Sequence, residues 1–295
     1  MEITAAQVKE LRERTGSGLM ECKKALVETR GDVDAAIDLM RKQGLVKAGK
    51  KSGRIAADGR IVMHVAADGK LGAMLEINSE TDFVAKGDDF NAFAEQSLQR
   101  AVAAQAQDVD QLLALPYAAG GDSTVDTARK ELIAKIGENI NLRRLVQYRA
   151  KGGIVGGYMH GIRIGVLVEL EGGDAALAKD IAMHIAASRP VAVSEQEVSA
   201  DVIAKEKEIF SAQAAESGKP AEIIEKMVQG RIKKFLAEVT LVGQPFVKDP
   251  ETTVGKLLEK AKARVVRFQR FEVGEGIEKA ATDFAAEVMA QVRGG

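Results

Sequence analysis

The sequence predicts an α+β protein, and three observations predict it. The first 44 residues carry helical apolar spacing in three short blocks, the middle contains a segment that repeats itself, and a pair of charged amphipathic helices comes after it. A chain of 295 residues with 46% hydrophobic and 29% charged residues has a globular composition, and its length suggests about two domains. The net charge of −1 supplies no overall field to recruit nucleic acid or a membrane surface. Cys22 is the only cysteine, so an internal disulfide is excluded and a reducing compartment is expected. The first residues, MEITAAQVKELRERTG, carry Glu2, Glu10 and Glu13 and no apolar signal core, and no apolar run approaches the roughly 20 residues of a spanning helix. The expected location is the cytoplasm.

In the first block Thr4 is placed to cap a helix with Val8 and Leu11 on one face, broken by Gly16 and Gly18. The second helix carries Leu19, Cys22 and Leu26 as an i, i+3, i+7 stripe and stops at Gly31. Asp32 caps the third, with Val33, Ile37 and Met40 inward and Gly44 closing it. A bundle this small has little surface for high stability of its own, which suggests an interaction module. The next stretch, LVKAGKKSGR, with Lys47, Lys50, Lys51 and Arg54, reads as a solvated linker more readily than as a phosphate contact, since it lacks aromatics and periodicity.

The repeat lies in the middle. Ile61 to Ile77 lines up without a gap on Ile154 to Leu170, pairing Lys70 with Arg163, Gly72 with Gly165 and Glu76 with Glu169. The register continues through Val84 to Lys86 on Leu177 to Lys179. Each copy reads as two β runs and an amphipathic helix, and a further run, NINLRRLVQYRA, bridges the copies. The first copy carries TDFV (Thr81 to Val84) where the second reads DAAL (Asp174 to Leu177). Phe83 is therefore matched by Ala176. Equivalent folding roles demand equivalent volumes, so the phenylalanine looks like an addition to one copy. The competing reading makes Phe83 core and Asp82 a turn or helix cap.

After the second copy come two charged amphipathic helices joined by SGKP. Ile224, Val228, Ile232, Phe235 and Val239 form a stripe on the second, which predicts an antiparallel hairpin, either projecting or packed back. A short helix, the strand RVVRFQRFEV and a C-terminal helix complete the chain. Phosphate-loop glycines, paired cysteine ligands and the metalloprotease histidine spacing are absent. His64, His160 and His184 have no ligand-like spacing, and no nucleophile–base constellation stands out. Neither a catalytic residue, a metal site nor a cofactor is expected.

Eight runs in order, LRERTGSGLMECKKAL, AADG, TDFVAK, KIGENINLRR, HIAAS, GKPAEIIEKMVQGR, GQPFV and RFEVGEGIEK, resemble the bacterial elongation factor Ts family, over nearly the whole chain. The resemblance implies an N-terminal ubiquitin-associated-like three-helix bundle, a duplicated α+β core, an inserted helical hairpin and a C-terminal helix. On this sequence those parts fall at 1–54 with the basic linker, 55–149, 150–273 with the hairpin at about 201–239, and 274–295. The implied function is guanine-nucleotide exchange on the translational GTPase elongation factor Tu, without any bond made or broken here. The segment Thr81, Asp82, Phe83 and Val84 would contact the GTPase and disturb its Mg²⁺ site, and Arg12, Met20 and His184 would add contacts. For Arg12 and Met20 the alternative is ordinary helix surface, and for His184 a satisfied helix-face histidine. Members of the family occur as heterodimers with the GTPase and as assemblies of two such pairs. Three other functions compete: a ribosome- or RNA-associated protein using the linker lysines and Arg231 to Lys234, an enzyme, and a scaffold dimerised by its hairpin. The neutral balance and 4% aromatic content count against the first.

Overall fold

The computed structural model describes residues 3–278, and the rest of the expected C-terminal helix, 279–295, lies outside the described residues. Helix α1 (Ala5–Thr15) opens on a capping box: Thr4 Oγ1 accepts from Gln7 N, and Gln7 Oε1 accepts from Thr4 N. It closes on Gly16 in the left-handed region at φ 65°. Helix α2 (Leu19–Glu28) buries Cys22, Ala25 and Leu26, whereas Leu19, expected in that stripe, is exposed. Burial starts one turn later because the small Ala25, not Leu19, completes the inward face. Helix α3 (Val33–Lys51) is capped by Asp32 and packs Ala36, with Val33, Ile37 and Met40, into the same small core.

Helix α3 does not end at Gly44, and the basic stretch after it is not a free linker. A Cβ at Gly44 would sit 3.0 Å from the Ala134 side chain, so this glycine admits a close helix approach and does not cap. The tail is anchored: Lys51 Nζ donates to Gly137 O, and Asn139 Nδ2 donates to the carbonyls of Ser52 and Arg54. Those bonds satisfy groups at a helix end that would otherwise stay open, and they let the helix run on.

Strands β1 (Asp58–Val65), β2 (Leu71–Ser79) and β3 (Asn141–Arg149) form one sheet in that order, with α4 (Asp82–Lys86), α5 (Asp88–Ala104), α6 (Val109–Ala114) and α7 (Val125–Ile136) between β2 and β3. A second sheet has β5 (Ile164–Glu171) between β4 (Ile154–His160) and β8 (Arg264–Glu272). Both pairings of β5 are antiparallel, Ile154 opposite Leu170 and Ile164 opposite Glu272, with an irregularity at Glu169/Leu170. The run expected to bridge the two copies is thus the third strand of the first sheet, and β8 takes the same place in the second. Helix α8 (Ala175–Ser188) starts 11 residues after the start of β5, as α4 starts 11 residues after the start of β2. Its residues Ala178, Ile181 and Ile185 pack with Val166, Val168 and Leu170 of β5 into the core of that half. A glycine admits a close backbone approach in each sheet: a Cβ at Gly59 would lie 2.1 Å from Ile77 O, and one at Gly153 1.8 Å from Leu170 O.

Compactness divides the chain into two units. One runs up to Val62, continues over Leu75–Leu145 and resumes at Val273, and the other comprises Met63–Met74 and Val146–Glu272. The second unit carries the hairpin α9 (Ala200–Ala215) and α10 (Ala221–Val239), then β6 (Pro245–Phe246), β7 (Asp249–Thr253) and α11 (Val254–Lys260). Gly218, at φ +64°, turns the hairpin. Only Ala214 and Val228 of the two helices are buried, and the apolar stripe of α10 is half-buried against α9. The hairpin therefore satisfies itself. Replacing residues 203–234 by a short Gly/Ser bridge should leave a soluble protein melting within about 4 °C of the full chain, the shift that roughly 1 kcal/mol produces at this size. An insoluble or molten product, seen by circular dichroism and gel filtration, would mean that the helices cover core surface.

Candidate partner-binding site

Strand β2 ends at Ser79, and the chain turns at once into α4, a helix of five residues. So short a helix has too few internal hydrogen bonds to persist alone. Its first turn is held from outside. Thr81 Oγ1 caps it by accepting from Val84 N at 3.4 Å, so the cap is Thr81 and not Asp82. The Glu138 carboxylate, just beyond α7, accepts from Glu80 N (3.1 Å), Thr81 N (3.0 Å) and the Thr81 hydroxyl (2.7 Å). In return the Glu80 carboxylate accepts from Asn139 N and pairs with Arg54, each at 2.6 Å. Ala85 is buried and Val84 half-buried beneath the helix, while Phe83 points away and is 82% exposed. Phe83 is not core.

Asp82, beside it, pairs with Lys86 at 2.6 Å across one turn. The hydrogen bond from Lys86 holds its carboxyl below the usual carboxylate range, so Asp82 is an anion at neutral pH. The start of α8 offers a comparison. Asp174 caps that helix by accepting from Leu177 N at 2.8 Å, Ala178 is buried and Leu177 half-buried. At the position of Phe83 stands Ala176, exposed and presenting nothing. The four residues expected to act together, Thr81 to Val84, thus share one short helix and its cap.

Arg12 lies exposed on α1, and Met20, on α2, is 72% exposed. Met20 borders a groove of about 650 Å³ with Lys23, Val27, Met40, Gly44 and Ala134. His184 does not fit the expectation of a partner contact. It is completely buried in α8, its Nε2 lies 2.9 Å from Gln244 Oε1, and its Nδ1 accepts from Val247 N at 3.1 Å. Because Nδ1 must accept, the proton belongs on Nε2 and is donated to Gln244. Phe246 covers the ring at 5.9 Å between centroids. A side chain with both nitrogens engaged and no exposed surface offers a partner nothing; it braces α8 against β6 and the residues on either side of it.

Sequence reasoning passed over Glu80, Glu138 and Asn139, and read Arg54 only as part of a solvated linker. The available signal was Glu-Asn directly after Gly137, where a helix end leaves open groups to satisfy. Among the described residues no group of three or more histidine, cysteine or acidic side chains could hold a metal, and no helix is long and apolar enough to cross a membrane.

The family model described as Elongation factor TS matches residues 80–275. An Elongation factor Ts of Methylococcus capsulatus is 67% identical over 293 residues, covering 99% of each chain. One of Alkalilimnicola ehrlichii is 62% identical and one of Thioalkalivibrio sulfidiphilus 61%, each covering 100% of both chains.

The His184 contacts make stability depend on pH in a defined direction. Burial holds its pKa below the ordinary 6.5, so the unfolded chain takes up this proton before the folded one does. The stabilisation is complete above about pH 6.5 and is lost as pH falls below it. Calorimetry from pH 7.5 to 5.5 should show a fall in Tm, part of which is absent in His184→Gln. An identical pH slope in the variant would refute the assignment.

Proposed function

The chain belongs to the elongation factor Ts family, and from that premise we propose that it is a guanine-nucleotide exchange factor for elongation factor Tu, acting in the cytoplasm. It carries out no bond chemistry. It lowers the GTPase's hold on GDP by binding the nucleotide-free form more tightly than the loaded form, and by linkage nucleotide expels the factor in return. The observation that carries this reading is Phe83, a large apolar side chain held almost wholly in solvent on a helix whose backbone is tied down. Inserted into an apolar pocket of the partner, it would contribute roughly 1.5–3 kcal/mol. Asp82 supplies a fixed negative charge one residue away. Exchanging its contact with Lys86 for polar groups around the partner's Mg²⁺ would displace ligands of an ion that tolerates little departure from octahedral oxygen geometry.

The remaining parts have roles in the same reading. The three N-terminal helices form a ubiquitin-associated-like docking module, with Arg12 and Met20 on exposed helix surface and their own small core. The two hairpin-plus-helix units derive from one duplicated element. What supports this is the equal 11-residue spacing from the start of β2 to the start of α4 and from the start of β5 to the start of α8, and the caps Thr81 and Asp174 at matching positions. The domains then take the boundaries 1–54, 55–149, 150–273 and 274–295, except that α3 and its anchors continue the first into the second.

One variant tests the reading. Phe83→Ala should melt within about 2 °C of the parent, since an exposed side chain contributes little to folding. It should weaken the nucleotide-free complex by at least roughly 2 kcal/mol, about thirtyfold, as interface hot spots do. The measurements are thermal unfolding and the release of labelled GDP from elongation factor Tu. A clearly lower melting point with GDP release intact at saturation would overturn the proposal.

A further inference from the structure

Glu138 lies far from Phe83 in sequence and is half-buried, and both its carboxylate oxygens accept hydrogen bonds from the residues that start α4. Oε2 accepts from the amides of Glu80 and Thr81, and Oε1 from the Thr81 hydroxyl. We infer that Glu138 is a positioning residue for nucleotide exchange, fixing the direction in which α4 presents Phe83. The inference rests on the exchange reading above and deepens it.

Three features separate this from ordinary loop packing. First, the Thr81 hydroxyl has a single proton, which goes to Glu138, and a lone pair, which accepts from Val84 N. Cap and clamp are one group, so the helix start cannot rotate without breaking both. Second, the tie is reciprocal: Glu80 returns two bonds, to Asn139 N and Arg54, and Asn139 in turn donates to Ser52 O and Arg54 O. The β2–α4 turn, the α7–β3 turn and the tail of α3 are thereby cross-linked. Third, among the described residues no carboxylate holds the corresponding turn of the other unit in this way. Asp174 caps α8 with an acceptor that has no proton to give, and the residue presented there is Ala176. Of the two helix starts, the carboxylate clamp accompanies the one that has something to present. Charge-assisted bonds from backbone amides are short and directional, and they set backbone orientation where bulk packing would only limit it.

The test uses the full-length chain and three variants: Glu138→Gln, which keeps the volume but replaces one acceptor oxygen by an amide; Phe83→Ala; and the double variant. Amide hydrogen exchange should quicken at least about tenfold at residues 80–84 in Glu138→Gln and stay unchanged in β5. The concentration giving half-maximal GDP release from elongation factor Tu should rise about tenfold, because small misplacements of a positioned group carry large rate costs. In the Phe83→Ala background the same change should cost less than about twofold, since the clamp acts only through the side chain it aims. Equal losses in both backgrounds, or unchanged amide exchange at 80–84, would overturn the inference. A parent chain that leaves GDP release unchanged overturns the exchange reading instead, and this inference falls with it. Should Glu138→Gln melt early, Thr81→Asp provides the second route: it keeps an N-cap of the kind seen at Asp174 but cannot donate to Glu138. It should reproduce the same loss with the fold retained, and a Thr81→Asp chain as active as the parent would equally refute the clamp.

Discussion

Glu76 puts a carboxylate at zero exposure in the middle of β2, and the first unit is arranged around satisfying it. Arg143 Nη1 donates to it at 3.1 Å, Arg144 Nε at 2.5 Å, Asn78 Nδ2 at 3.1 Å and the backbone N–H of Gly274 at 2.9 Å. A buried charge costs several kcal/mol unless its lone pairs are filled, and removing one partner of such a pair typically costs about 3–5 kcal/mol. The requirement dictates geometry. β3 must lie next to β2 to deliver two arginines, and the turn at Gly274 must return to the same strand. Arg143 then takes the Glu275 carbonyl as well, which stitches that turn down. Because β3 begins directly after Glu138, Asn139 and Ile140, the same constraint sets the clamp opposite the start of α4.

The second sheet repeats the device in lighter form. Glu169 on β5 is nearly buried and pairs with Arg267 of β8 at 2.8 Å, and Arg267 also lies 4.1 Å over the ring of Tyr148. Burial pushes the Tyr148 hydroxyl up to about 12, so this neighbour stays neutral and the arginine faces a ring and one carboxylate. Both sheets thus hold a central-strand glutamate with an arginine from the third strand. They differ in the helix start that comes after the central strand: one is clamped and carries Phe83, the other is merely capped and carries alanine.

Much of this was legible in the sequence where a residue's own chemistry decides the outcome. Thr4 and Asp32 cap as their side chains require, Gly218 turns the hairpin, and the gapless alignment of Ile61–Ile77 on Ile154–Leu170 marks the strands. Legibility ended where a distant partner decides. Gly44 looked like a stop signal, but Ala134 of another helix makes it a contact point. Leu19 fits a helical stripe by spacing, yet no neighbour reaches it with enough surface to cover it, and it stays exposed. His184 carries no mark of whether it faces solvent or Gln244. Glu138 was visible only as one letter of KIGENINLRR, because its meaning lies in the amides of Glu80 and Thr81, which local patterns do not reach.

If the chain acts as proposed, the clamp also bears on why exchange would need a rigid element at all. A ligand that binds two states of its partner equally shifts nothing, however tightly it binds. A phenylalanine on a yielding loop could settle against both the loaded and the empty GTPase, gaining contact area in each and discriminating little. Fixing the backbone of α4 by Glu138 removes that freedom, and it also spares part of the roughly 0.5–1.5 kcal/mol that ordering a side chain on binding costs. On the exchange reading proposed above, Phe83 would then fit only the state whose pocket has already given way. On that reading, discrimination between the two states would come from what the helix cannot do, and burial of the ring would supply the energy once the direction is fixed.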